Sequence, residues 1–251
     1  MSGATGAAAP GSGRGRPFIV AIDGPAGAGK STAARRLASV LGFTLVDTGA
    51  IYRSVALAAS RAGVAFDDDG RLEELLPQIA IRFSPPLASE PAAGQRVSLG
   101  DDDVTAAIRT PAMSLGASAV SARPVVRAGL LELQRRLATA AGIAGAVLEG
   151  RDIGTVVFPD ADLKFFVTAS PEVRAARRFA ELQARGQTAN LQQVLAEQQK
   201  RDEDDSRRAI APLKPAADAR VIDTSGLDLD AVVEELVCRT RAVMLGRPSD
   251  G

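Results

Sequence analysis

Residues Gly24-Pro25-Ala26-Gly27-Ala28-Gly29-Lys30-Ser31 fill the pattern G-x-x-x-x-G-K-[ST], with Thr32 directly after. The chemistry such a spacing serves is the binding of a polyphosphate. Glycines let successive backbone N–H groups converge on phosphate oxygens, and a helix that begins at the motif turns its positive dipole end to the same point. Lys30 adds a movable charge, and Ser31 adds a hydroxyl for Mg2+. The motif follows the apolar run Phe18-Ile19-Val20-Ala21-Ile22. A strand, a glycine turn and a helix in that order is the context a phosphate loop requires. A glycine-rich turn that merely caps a helix is the competing reading, and the flanking strand weighs against it. Gly24 to Thr32 are therefore expected to bind a nucleoside triphosphate.

A phosphate loop does not by itself name a reaction. No Asn-Lys-x-Asp tetrapeptide of the kind that reads guanine occurs in the sequence, and the apolar stretch Ala146-Val147-Leu148 leads into Glu149-Gly150-Arg151-Asp152 rather than the Asp-Glu of motor ATPases. Small-molecule kinases remain. They need a second anionic pocket facing the first, because in-line phosphoryl transfer is a matter of positioning two anionic groups and neutralising their oxygens.

Four segments offer such a pocket. In Asp47-Thr48-Gly49-Ala50-Ile51-Tyr52-Arg53 the arginine suits an acceptor phosphate and Asp47 suits Mg2+ or a proton; a capped surface helix is the plainer alternative. Gly150-Arg151-Asp152-Ile153-Gly154-Thr155 has two glycines that let backbone pass close to a ligand, although Arg151 and Asp152 also suit one another. Arg201, Asp205 and Arg208 fall on one helical face, where a solvated ion-pair stripe is the common meaning. Arg174, Arg177 and Arg178, with Arg185 behind them, gather like charges that an Arg-lined, mobile lid over the triphosphate would explain.

Composition narrows the classes further. The chain has 251 residues, enough for one α/β domain with insertions or for two small domains, and its formal net charge is zero. Neither a nucleic-acid coat nor a membrane-surface binder is expected from that balance. Of the 30 basic residues 26 are Arg, part of which reflects source bias, so position rather than number carries the argument. There is no His, which excludes imidazole catalysis and His-ligated metal sites. The single cysteine, Cys238, falls on the apolar face of a late helical pattern and suits a reducing compartment. Residues 1–16 are small and glycine-rich and read as a disordered tail, with 247–251 as a second loose end. No apolar stretch has the character of a secretory signal or a membrane span, so a cytoplasmic location is expected.

The elements that must position these groups alternate. Strands are expected at Phe18 to Asp23, Phe43 to Val46, Ala146 to Leu148, Leu163 to Thr168 and Ala219 to Ile222. Helices are expected from Gly29 to Leu41, with Val40 on its apolar face, and from Asp47 or Thr48 onward. Others run over Pro111 to Ala141 with a break near Pro124, then Pro171 to Arg185, Leu191 to Arg208 and Asp228 to Leu245. Between about Asp67 and Asp103, Ile79 to Phe83 and Arg96 to Leu99 read as antiparallel strands of an inserted subdomain. Strands separated by helices imply a parallel sheet covered on both faces.

The runs IDGPAGAGKST, VDTGAIYR, GRDIGTVVFPDADLKFF and RDEDDSRRAIAPL together resemble the bacterial cytidylate kinases, the CMP/dCMP kinases among nucleoside monophosphate kinases. The likeness runs from about Phe18 to Leu245. The GAIYR, GRDxGT and Arg201 to Pro212 segments are those that set this family apart from adenylate and guanylate kinases. The resemblance implies an α/β P-loop kinase with a parallel sheet flanked by helices. It also implies a small inserted β-subdomain at about 67–104 on the monophosphate side and an Arg-rich lid at about 171–208, all within a domain spanning 17–246.

The activity implied is phosphoryl transfer from ATP to CMP and dCMP, with Mg2+ accompanying ATP, by a monomer whose partners are nucleotides. Lys30, Arg151, Arg208, Arg174 and Arg178 would carry the catalytic charge. Ser31 would touch the metal, with Asp47 as a further candidate. Family positions for the acceptor phosphate fall on Arg53, Arg151 and Arg208, with Thr48 as hydroxyl donor; those for the sugar fall on Arg201 and Asp205. Those for cytosine fall on Ser118, Arg127 and Asp152. Thr48 stands where Ser is common and Glu149 where Asp is common. A kinase of another small acceptor, such as a sugar or shikimate-like acid, and a nucleotide-binding module without turnover are the alternatives. The first needs no base-reading Asp and Arg; the second needs no second phosphate pocket.

Overall fold

The computed structural model describes residues 16–86, 94–184 and 186–246. Arg185, residues 247–251 and all of the expected N-terminal tail except Arg16 lie outside them. The chain runs β1 (Phe18–Asp23), α1 (Lys30–Leu41), β2 (Thr44–Asp47), α2 (Thr48–Arg61), α3 (Asp69–Leu75), β3 (Ile81–Ser84), β4 (Arg96–Leu99) and β5 (Asp102–Asp103). It continues through α4 (Pro111–Ser121), α5 (Pro124–Ala138), β6 (Gly145–Gly150), β7 (Leu163–Thr168), α6 (Pro171–Ala184), α7 (Leu191–Arg207), β8 (Arg220–Asp223) and α8 (Leu229–Gly246).

Five strands form one parallel sheet in the order β2-β6-β1-β7-β8. β1 and β6, both central, are buried at every residue. That is why β1 reads as an unbroken apolar run instead of alternating. One face of the sheet packs against α2, α4 and α5 around Ile51, Val55, Val120, Val126 and Leu148. The other packs against α1 and α8 around Leu37, Phe165, Val233 and Leu236. Register then sets the site: Asp23 lies opposite Gly150, and Asp47 opposite Glu149. The carboxyl ends of three strands thus finish level, the edge where doubly wound folds collect ligands.

The inserted segment holds a three-stranded antiparallel sheet, β3-β4-β5, as the turn-rich text suggests. It also holds α3, which the acidic composition hides: the Asp68 side chain caps Arg71 N, and Leu72 is wholly buried. Ile79 closes a 3-10 turn rather than opening a strand. Two residues placed on apolar faces by periodicity are exposed. Val40 lies off the α1 stripe of Ala33, Ala34, Leu37 and Ala38. Cys238 lies off the α8 stripe of Val232, Val233, Leu236 and Thr240, two residues and roughly 200° beyond Leu236. Among the described residues no helix is long and apolar enough to cross a membrane.

Candidate active site

The phosphate loop leaves β1 at Gly24, whose φ of 143° is closed to side chains; a Cβ there would lie 2.0 Å from Val167 O. The loop ends at Gly29, in a left-handed conformation, and α1 starts at Lys30 with no side-chain cap and no acid in its first turn. Its leading N–H groups therefore find no side-chain acceptor within the helix start. Lys30 is buried and folds back so that Nζ donates to Pro25 O at 2.6 Å. Burial, then the neighbouring Arg151, pushes the ammonium down to about 7, opposed by Glu149 and Asp23. Glu149, at the end of β6, is held above the usual carboxylate range by burial and by Asp47, opposed by Lys30 and by a hydrogen bond from Ser31.

A second basic basin adjoins the first. Asp47 caps α2 by accepting from Ala50 N at 2.7 Å, and its other oxygen accepts from Arg53 at 3.0 Å. Each carboxylate oxygen thus accepts one hydrogen bond and keeps a further lone pair. Thr48 donates its hydroxyl to Glu149 O at 2.7 Å. Arg151 Nε donates to Asp205 Oδ2 at 3.1 Å, and Arg208 pairs with the other oxygen of the same buried carboxylate. Arg201 joins them: burial and then Arg151 lower its pKa to about 10, with Arg208 and Arg53 adding to the repulsion. Four guanidiniums around Asp205 and Asp47 carry more positive charge than those carboxylates neutralise.

Beyond Arg208 the pocket changes character. Arg127 pairs with the buried Asp152, donates to Ser121 O at 3.2 Å, and lies 5.8 Å above the Tyr52 ring. Burial pushes the Tyr52 hydroxyl up to about 12, opposed by Arg127. Ser118 is half-buried on α4, and its carbonyl accepts from the Ser121 hydroxyl. Asp152 opens a single π-helical turn, Ile153–Val157, braced by Asp23, which accepts from Ile153 N and Gly154 N at 2.8 Å each. The Nε atoms of Arg53, Arg127 and Arg201 are buried without hydrogen-bond partners. Three orphaned donors on these arginines are a costly arrangement that an acceptor-rich ligand would relieve.

The arginines of α6 diverge rather than line one surface. Arg174 is buried, donating to Ala26 O at 3.1 Å and pairing with Asp202 of α7, so it braces the phosphate loop from beneath. Arg177 donates to Thr224 O at 2.7 Å. Arg178 pairs with Glu181 along its own helix, and Arg185 lies outside the described residues. Asp23, Tyr52, Ser121 and Asp202 were not singled out from sequence as site residues. Asp23 alone carried a signal, a charge closing an apolar strand beside the glycine turn.

Among the described residues no cluster of three or more acidic or Cys side chains forms a metal site. What the arrangement does offer is two adjoining cation-lined basins and, next to the second, an acid–base pair of complementary hydrogen-bonding character. Comparison with known proteins identifies the family. The family model described as Cytidylate kinase matches residues 20–242. The chain is 52% identical over 221 residues to a cytidylate kinase of Geobacter sulfurreducens, covering 88% of this chain and 91% of that protein. It is 49% identical over 222 residues to one from Syntrophotalea carbinolica, covering 88% and 91%. With one from Pseudomonas aeruginosa the figures are 46% over 219 residues, covering 87% and 93%.

Proposed function

The chain belongs to the cytidylate kinase family, and we propose that it moves the γ-phosphoryl group of ATP to CMP, and to dCMP, with the residues above in the following roles. What supports the assignment of roles is the nearness of Arg151 and Arg201 to Lys30, close enough that both lower its pKa. Gly24 to Thr32 wrap the triphosphate, and Lys30 leaves Pro25 O to bridge its β and γ oxygens. Arg53, Arg151 and Arg208 hold the acceptor phosphate, with the Thr48 hydroxyl alongside. Arg201 and Asp205 take the sugar.

Base selection follows from the Arg127–Asp152 pair. Cytosine presents an amino donor beside the N3 and O2 acceptors. Its amino group can replace a guanidinium N–H on Asp152 while its acceptors take the N–H groups so released, and no polar group is left unpaired. Uracil would set its O4 against the Asp152 carboxylate, acceptor against acceptor, a mispairing of about 1 to 3 kcal/mol. Ser118, whose carbonyl accepts from the Ser121 hydroxyl, is assigned to the same base.

No general base is required, because the attacking phosphate oxygen is already ionised; catalysis rests on charge placement and alignment. The segment at about 171–208 acts as the lid, with Arg174 setting the phosphate loop and Arg178 facing the entering nucleotide when α6 and α7 close. The inserted segment at about 67–104 closes the monophosphate side. Oxygen donors of the Ser31 type suit Mg2+ carried in on ATP, and that ion supplies neutralisation of the phosphate oxygens when bound. A cytoplasmic monomer is the working state we propose, with residues 17–246 as the catalytic domain.

A coupled ADP-release assay with ATP against CMP, dCMP, UMP, AMP and a sugar-acid panel tests the assignment. CMP and dCMP should drive ADP formation, and UMP should be about 10- to 100-fold poorer in kcat/KM. Turnover of a sugar acid in preference to CMP, or ADP release indifferent to acceptor, would remove it.

A further inference from the structure

Ser121 ends α4 at the elbow with α5, is 8% exposed, and meets three of the residues assigned to CMP. Its hydroxyl proton goes to Ser118 O at 3.0 Å. With that proton spent, the oxygen lone pairs face the other way, and Oγ accepts from Arg208 Nη2 at 3.1 Å. The Ser121 carbonyl accepts from Arg127 Nη1 at 3.2 Å. Arg208 closes α7 and Arg127 lies in the first turns of α5, so two cations from distant elements are referenced to one small residue.

Asp205 alone does not fix Arg208. A single carboxylate oxygen leaves the guanidinium plane free to turn about that bond, and a second acceptor on the same nitrogen removes the freedom. We infer that Ser121 is a positioning residue for CMP: its hydroxyl aims Arg208 at the acceptor phosphate, while its carbonyl seats Arg127 beside Asp152. The inference rests on the assignment of Arg208 and Arg127 made above. It also carries a separable consequence, since a side-chain change removes the hydroxyl and spares the carbonyl. Phosphate grip should suffer and base discrimination should not.

The test is calorimetric CMP binding with steady-state kinetics on Ser121→Ala, Ser121→Cys and Ser121→Thr, and on Arg208→Ala with and without Ser121→Ala. Ser121→Ala is expected to weaken CMP binding about tenfold, as loss of one hydrogen bond to a charged group does. The KM for ATP and the CMP-to-UMP ratio should hold. Ser121→Cys, which keeps the volume but accepts weakly, should behave as the alanine variant, and Ser121→Thr should restore binding. In the Arg208→Ala background, Ser121→Ala should cost nothing further. Unaltered CMP binding in the alanine variant, an equal loss for ATP, failure of threonine to rescue, or a full further loss without Arg208 would each overturn the role. A wild-type protein that neither binds nor phosphorylates CMP would instead sink the underlying assignment.

Discussion

Arg151 stands close enough to Lys30 to be, after burial itself, the strongest influence holding the Lys30 ammonium pKa down. One stands at the turn after β6 and the other at the start of α1, and the cost of bringing these like charges together, which Glu149 and Asp23 offset in part, would fall further with an anion between them. Arg151→Met should therefore relieve repulsion in the free enzyme and still lose turnover. The expected loss in kcat is about 100- to 1,000-fold, the scale of removing one group that stabilises transition-state charge. Pre-steady-state and steady-state kinetics with CMP check it, and a kcat within a few-fold of wild type would count against the shared pocket.

In the proposed function Asp152, buried and paired with Arg127, selects the base. Asp152→Asn converts part of an acceptor into a donor that can meet uracil O4 while keeping a partner for Arg127. The CMP-to-UMP ratio of kcat/KM should fall about 10- to 100-fold with little change in the KM for ATP. Competition assays with both pyrimidines decide this, and an equal loss toward ATP and CMP would show that the residue does not contact the base.

The donor loop is fixed by backbone geometry. Gly24→Ala would put a methyl group 2.0 Å from Val167 O at a φ that side chains rarely adopt. Strand separation at the centre of the sheet is the only relief, so stability should drop by about 2 kcal/mol or more and ATP binding with it. Denaturant melts measure the first quantity and nucleotide titration the second; an alanine variant as stable as wild type would contradict the packing described.

Asp23 gives a pH dependence of defined sign. Burial, only partly offset by its bonds from Gly154 and Ile153, raises the carboxyl to about 6, against about 4 in an unfolded chain. Between those values the folded chain holds a proton that the unfolded chain has released. The stability this group contributes is therefore complete below about pH 4 and is lost as pH rises through about 6. Two units amount to about 3 kcal/mol. Asp23→Asn cannot titrate and should flatten that part of the profile. Urea melts across this range, compared between the two proteins, test the point; parallel curves would refute it.

Much of the architecture was legible because it is local. Leu163–Thr168 shows as a strand from its apolar run, Asp47 as a cap from its place before Ile51 and Val55, and the phosphate loop from eight adjacent residues. What sequence did not show depends on approach between distant elements. Ser121 meets Arg208 across 87 residues, and Asp23 meets Gly154 across 131. Neither leaves a periodic or compositional trace. Arg174, Arg177 and Arg178 look alike in sequence, yet their partners on α7, the loop after β8 and α6 itself send them in three directions. Helix α3 was obscured because a seven-residue helix with one buried side chain has too little apolar pattern to stand out from acidic loop text.

Single-turnover rapid quench with ATP labelled at the γ-phosphate, with and without CMP, tests the central claim most directly. Two adjoining basins predict that label passes into CDP, that ADP and CDP form one for one, and that ADP formation without CMP is negligible. Label released as inorganic phosphate at a rate indifferent to CMP would contradict it.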